Sequence, residues 1–225
     1  MLNGCRYQAP TKNTTTMKTN TKLAVAFLAA ASSIAAQAAD APASFTASGN
    51  IALTSDYVFR GVSQTAGKAA LQGGYDVVHA SGLSAGLWAS NVSDAFGGLE
   101  IDLYANYAFK LGAVDFSVGY INYTYNTAAN GGEANIAATY AGLTLKYSDG
   151  VSGVLSDYYY EANYSYDVAA VKGLNIGLHY GQTETDVYDY AVSASYPVLG
   201  FTATVSYSEL EGGDNITAFT LKKVF

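Results

Sequence analysis

Cysteine, proline, histidine and positive charge are all scarce in this chain. Of 225 residues only Cys5 is a cysteine, so neither a disulfide framework nor a thiolate metal site is available. Three prolines and no low-complexity block leave no linker to divide the chain into domains. Eleven Lys and Arg stand against eighteen Asp and Glu, a formal charge of −7, which excludes nucleic acid as a partner. The longest apolar run, Leu23 to Ala31, falls short of the ~20 residues that a membrane-spanning helix needs. A phosphate loop, a Rossmann fingerprint, a His-Glu-x-x-His helix and a Gly-x-Ser-x-Gly elbow are all missing, so no cofactor and no metal are expected.

What is present begins with an export signal. Lys18 and Lys22 precede the apolar run, and Ala36-Gln37-Ala38 follows it as a small-x-small cleavage site, so residues 17–38 read as a secretory signal peptide starting at Met17. Residues 1–16 then read as a misassigned upstream extension. Leu2-Asn3-Gly4-Cys5 resembles a lipoprotein box but has no basic and apolar region before it. Cleavage removes Arg6, Lys12, Lys18 and Lys22 and no acid, which makes the exported chain more acidic still. Residues 39–49 read as a periplasmic N-terminal segment and 50–225 as the folded domain.

That domain alternates with period two. In 100–109, Ile101, Leu103, Ala105, Tyr107 and Phe109 share one face while Glu100, Asp102, Tyr104, Asn106 and Ala108 share the other. Twelve such segments follow one another: 50–61, 69–80, 83–93, 99–110, 113–125, 133–141, 142–149, 157–169, 173–182, 187–197, 199–208 and 215–225. Every second connection is very short, as at Ser81-Gly82, Leu111-Gly112 and Ala141-Gly142; the others are longer and polar. This predicts an all-β fold, a transmembrane antiparallel up-and-down β-barrel of about 12 strands, with short periplasmic turns and longer external loops. Aromatics fall into two girdles, with Tyr57, Phe59, Tyr120, Tyr160 and Tyr180 toward the external ends and Tyr75, Tyr107, Tyr140 and Phe201 toward the periplasmic ends. A secreted β-sandwich is the competing reading, but it would not require short and long connections to alternate. The closing segment, 215–225, ends on Phe225, an expected signal for the barrel-assembly machinery.

The stretches SDYVFRGVSQT (55–65), ALQGGYDVVHASGLSAGLWASNV (70–92) and EIDLYANYAF (100–109) resemble the TorF-type porin family. The match covers about the first half of the exported chain, and the second half follows by strand pattern. Lys68-Ala69, Ser84 and the proline-free YNTAANGG depart from the family's pattern and bear on loop shapes. The resemblance implies a barrel in the outer membrane of a Gram-negative bacterium, in contact with its lipid, and does not supply a substrate.

With apolar faces toward lipid, Asp56, Arg60, Asp76, Glu100, Asp102, Asp115, Lys146, Glu161, Asp167, His179 and Asp189 are expected in the lumen. The functional reading is a passive diffusion channel for small hydrophilic solutes or ions, favouring cations, with Asp56, Arg60, Asp76, Glu100, Asp102, Lys146 and Glu161 as selectivity candidates. The alternative is a closed structural or ligand-binding barrel in which Arg60 and Lys146 tie carboxylates together. Asp56 and Arg60 would share one strand face about 13 Å apart. Glu100 and Asp102 would sit at the external rim as solvated charges, with divalent-cation binding or glycan chemistry the less favoured uses. An outer-membrane lipid hydrolase would need a Ser and His facing lipid; His79 beside Ser81 is the only approach to that, so no catalytic residue is expected. An adhesion barrel would need longer external loops. Loop 150–156, rich in glycine, is free to fold inward.

Overall fold

A computed structural model describes residues 45–127, 130–153 and 155–225. The signal peptide, the upstream extension with Cys5 and the first part of 39–49 lie outside the described residues.

Twelve antiparallel strands close into one barrel. They are β1 (Phe45–Thr54), β4 (Ala70–His79), β5 (Leu83–Asn91), β6 (Leu99–Leu111), β7 (Val114–Tyr125), β8 (Gly131–Tyr140), β9 (Leu143–Gly153), β10 (Tyr158–Asp167), β11 (Asn175–Thr183), β12 (Tyr188–Val198), β13 (Phe201–Leu210) and β14 (Asn215–Val224). Two further strands, β2 (Val58–Phe59) and β3 (Val62–Ser63), form a separate small hairpin. Each barrel strand pairs with its neighbours in sequence, and closure comes from β1 against β14, with Leu53 opposite Leu221 and Ile51 opposite Lys223. Phe225 adds two backbone hydrogen bonds to Gly49, at 2.8 and 2.9 Å. Closure leaves the twelve-stranded barrel sheet without an open edge.

Alternation decides which side chains go where. Leu53, Leu103, Leu145, Leu178 and Phe219 are exposed on the outer wall, while their neighbours Thr54, Asp102, Lys146, His179 and Ala218 turn inward. The outward apolar band encircles the barrel and far exceeds the few hundred Å² that a soluble protein leaves uncovered. Among the described residues no helix is long and apolar enough to cross a membrane. Tyr75, Tyr107, Tyr140, Tyr166 and Phe201 are exposed near the end with short turns, and Tyr120, Tyr160, Tyr180 and Tyr207 near the end with long loops. Lys223 lies on the outer wall near the turn end, where its Nζ donates to the Gly200 carbonyl at 2.7 Å.

The first strand differs from the sequence expectation. It runs 45–54, not 50–61, because the chain turns inward after Ser55. Tyr57 and Phe59 keep the parity of Ile51 and Leu53, which extends the apparent lipid face, yet both are buried inside the barrel. They do not belong to the girdle.

The sidedness of the wall can be tested in a lipid-folding titration. Leu103→Lys, facing outward, is expected to cost about 2–4 kcal/mol if it lies near the midplane, and Ser206→Lys, facing the lumen, much less. Equal costs would contradict the assigned faces.

Candidate functional site

The connection from β1 to β4 is the longest at the loop end, and it does not stay outside. It folds into the bore as the β2–β3 hairpin, with Val58 opposite Ser63 and Phe59 opposite Val62. Arg60 and Gly61 make its two-residue turn, with φ of 47° and 74°, the doubly left-handed geometry of a type I′ turn. Gly61 is required for a second reason: a Cβ there would come within 2.9 Å of Leu210 Cβ and 3.0 Å of Asp189 Cβ. The hairpin tip thus presses on β12 and β13.

Asp56 organises the base of this hairpin. Its Oδ1 accepts from Ser63 Oγ at 2.6 Å and Thr65 Oγ1 at 2.7 Å, and the Tyr57 amide donates to Thr65 Oγ1 at 3.1 Å. The Ser93 amide donates to the Gln64 carbonyl at 2.8 Å, tying the hairpin to the β5–β6 loop. Asp56 is therefore spent on folding the segment, and the expected common strand face with Arg60 does not exist.

Arg60 reaches the far wall. In the order of strands around the barrel, β8 lies well away from both β1 and β4, and there Glu133 meets the guanidinium in a two-pronged pair, Nη1 to Oε1 and Nη2 to Oε2, each at 2.9 Å. Both side chains are buried. Tyr123 donates to Glu133 Oε2 at 3.1 Å. The guanidinium also lies over the Tyr159 ring at 4.0 Å and the Phe59 ring at 5.1 Å. Burial works against the charge on Arg60, and Glu133, through its charge and its hydrogen bonds, together with Tyr123 and Tyr159 more than offsets it, so the pKa is raised.

Around the hairpin a hydrophobic core forms inside the barrel. Tyr57 and Phe59 pack with Ala70, Val92, Ile121, Tyr123, Tyr125 and Leu155, and Trp88 meets Tyr57 edge-on at 5.3 Å. Leu155, from the β9–β10 connection, does reach this core, but residues 150–153, expected in the same loop, continue strand β9 with Val151 exposed. Glu100 and Asp102 lie at this level with 0% exposure, not at a solvated rim. The hairpin covers them, and Tyr125 donates to Glu100 Oε1 at 2.7 Å.

The remaining expected lumen residues divide between wall and mouth. Asp76 accepts from Tyr104 at 2.6 Å, and Lys146 pairs with Glu161 at 3.2 Å. His179 and Asp189 are buried together on β11 and β12. Asp115, paired with Lys110 at 2.8 Å, and Asp167, accepting from Asn175, are exposed at the turn end. Between mouth and hairpin the wall offers Ser84, Asn106, Asn163, Ser193, Thr204 and Ser206, all partly accessible. His79 Nδ1 lies 2.8 Å from Ser81 Oγ within the β4–β5 turn, a contact between near neighbours. Among the described residues no group of three His, Cys, Asp or Glu could hold a metal. Glu133 and Tyr159 were missed from sequence; the inward parity of Glu133 with Asn135 was the available signal.

A family model described as a bacterial protein of unknown function, Gcw_chp, matches residues 37–209. The chain belongs to the Gcw_chp family. No curated protein matches it. Among solved structures, the KdgM porin superposes with a TM-score of 0.58 at 13% identity, covering 79% of this chain and 96% of that one. The KdgM porin in complex with disordered oligogalacturonate gives 0.55 at 12%, with the same coverages. At this identity the likeness is one of fold. The barrel implied by the TorF-type resemblance is the fold observed, and the family named by the match is Gcw_chp.

In the Gcw_chp barrel, Arg60→Ala leaves Glu133 buried without its partner and is expected to weaken hairpin docking by about 3–5 kcal/mol. Hydrogen exchange of the β2–β3 amides would read this as lost protection, and Arg60→Ala/Glu133→Ala should recover part of it. Unchanged protection in the single variant would contradict the latch.

Proposed function

We propose that this protein is a channel of the Gram-negative outer membrane for small hydrophilic solutes, exported through the cleaved signal peptide at 17–38 and favouring cations. The observation that carries this reading is the bore: an accessible wall of Ser, Thr and Asn leads from the turn end to a single hairpin held across the lumen. On this orientation the turn end faces the periplasm, the hairpin constricts the external mouth, and Phe225 presents the closing strand to the barrel-assembly machinery.

Selectivity follows from the wall charges. On the inward faces stand Asp76, Glu100, Asp102, Glu133, Glu161 and Asp189 against Arg60, Lys146 and Lys222; Glu133 and Glu161 are paired and Glu100 and Asp102 lie under the hairpin, which leaves Asp76 as the partly accessible acid of the bore. Fixed carboxylates attract cations within a Debye length of about 8 Å at physiological salt. An oligogalacturonate, the ligand in the KdgM porin complex, carries a carboxylate on each sugar, and this acidic bore opposes such a polyanion. Neutral and cationic solutes fit it better.

A second reading, a closed structural or ligand-binding barrel, draws on the packed core around Tyr57 and Phe59. Planar-bilayer recording under a salt gradient separates the two. The channel reading predicts discrete steps with a cation-favouring reversal potential in the wild type, and larger steps when the β2–β3 hairpin is replaced by a short Gly-Ser turn. A folded wild type that passes no current, with current only after deletion, would establish the closed barrel instead.

A further inference from the structure

Among the described residues, four of the five buried side-chain oxygens without a hydrogen-bond partner belong to Gln64, Glu100 and Asp102; Ser148 on β9 has the fifth. Glu100 and Asp102 are successive inward side chains of β6, about 7 Å apart along it, and neither has any exposed surface. Tyr125 donates to Glu100 Oε1 at 2.7 Å, and the Tyr57 hydroxyl also approaches Glu100. Glu100 Oε2 and both oxygens of Asp102 have no hydrogen-bond partner. Nearby donors are turned elsewhere: Ser90, opposite Glu100, donates to the Asn91 carbonyl at 2.9 Å, and Tyr123, opposite Asp102, donates to Glu133. Arg60 and Lys146 are likewise held by Glu133 and Glu161.

The hairpin adds the fourth oxygen. Gln64 extends its ladder beyond Val58–Ser63: the Gln64 amide donates to the Tyr57 carbonyl at 2.6 Å, so the two residues stand opposite one another with side chains on one face. That face meets β5 and β6, since the Tyr57 ring packs against Trp88 and its hydroxyl approaches Glu100. Gln64 is 1% exposed. Its Nε2 donates to the Val62 carbonyl at 3.1 Å, which fixes the amide orientation and leaves Oε1 without a partner.

Four acceptor oxygens on three buried side chains therefore meet no donor. A shared proton does not account for them, because no hydrogen bond joins Glu100 Oε2 to Asp102. Two ionised carboxylates buried without a counter-charge are costly, and a doubly charged cation balances both. We propose that Glu100, Asp102 and Gln64 bind a calcium ion beneath the hairpin, fastening the hairpin to β6. An all-oxygen ligand set suits a hard cation, and Asp102 can take it with both oxygens. The closed setting favours Ca²⁺, which accepts protein oxygens at about 2.3–2.6 Å, over Mg²⁺, which keeps several of its waters. Two acids supply the charge, and the amide oxygen stands in place of a third acid. The site goes beyond the channel reading and holds whether or not the barrel conducts.

Equilibrium dialysis of the refolded barrel against labelled Ca²⁺, with no other ligand present, counts the ions. About one per barrel is expected above weak binding by exposed loop acids. Asp102→Asn keeps the shape and removes the charge; its affinity should fall more than about 10-fold, while Asp214→Asn on an exposed loop should keep the ion. Equal binding by the wild type and Asp102→Asn would identify an adventitious ion only, and a wild type that binds none would show the two acids to be neutral; either result overturns the proposal. If Asp102→Asn does not fold, Gln64→Leu removes the amide oxygen at similar size and should also weaken binding, and undiminished affinity would overturn the site. Hydrogen exchange of the β2–β3 amides reads the fastening. Chelation should lower their protection in the wild type and have no effect in Asp102→Asn, and wild-type protection indifferent to chelation would overturn the link to the hairpin.

Discussion

One buried ion pair holds the inside of this barrel together. A hairpin entering from the loop end has little backbone support of its own, since β2 and β3 are two residues each, and such a short ribbon is marginal in isolation. The two-pronged Arg60–Glu133 contact fixes its tip to the opposite wall and sets its depth and direction. A charge pair of this kind contributes modest net stability, because both partners give up hydration. Removing either partner is severe, because the other is then buried alone. The pair thus favours one placement of the hairpin over all others. The Tyr159 ring, the Tyr123 hydroxyl and the left-handed turn at Arg60-Gly61 are arranged around that placement.

Two environments follow within a single wall. Outside, alternating apolar residues are exposed along the whole circumference. Inside, the lumen separates by height: toward the turn end the wall is small, polar and accessible, and toward the loop end it is a packed core that would suit a soluble protein. Tyr57, Phe59 and Leu155 enter that core from the connections between barrel strands and meet Ala70, Ile121, Tyr123 and Tyr125 of the wall. Glu100 and Asp102 owe their burial to this cover. Without the hairpin they would be ordinary lumen carboxylates.

Period two and the alternation of short and long connections made eleven of the twelve barrel strands legible in the sequence within a few residues, because each strand keeps an apolar outer face and a more polar inner one. The exception was β1, and the cause was specific. Ile51, Leu53, Tyr57 and Phe59 continue one alternation across Ser55, and nothing in parity distinguishes an aromatic that meets lipid from one that meets a core inside the bore. Arg60 was recognised as an ion-pair candidate, but its partner lies 73 residues away and depends on barrel closure, which no local pattern encodes. The lumen position of Lys146, Glu161, His179 and Asp189 was readable from parity alone. Their assembly into one network was not, since it required the inter-strand register.

Single-channel conductance of charge-reversed barrels tests the central claim most directly. Arg60→Glu and Glu133→Arg each place like charges face to face, and each is expected to open the mouth and raise conductance. Combined, the two substitutions restore opposite charges across the bore, and conductance should return toward that of the wild type. A double variant as open as either single one, or single variants indistinguishable from the wild type, would contradict a hairpin held by this pair.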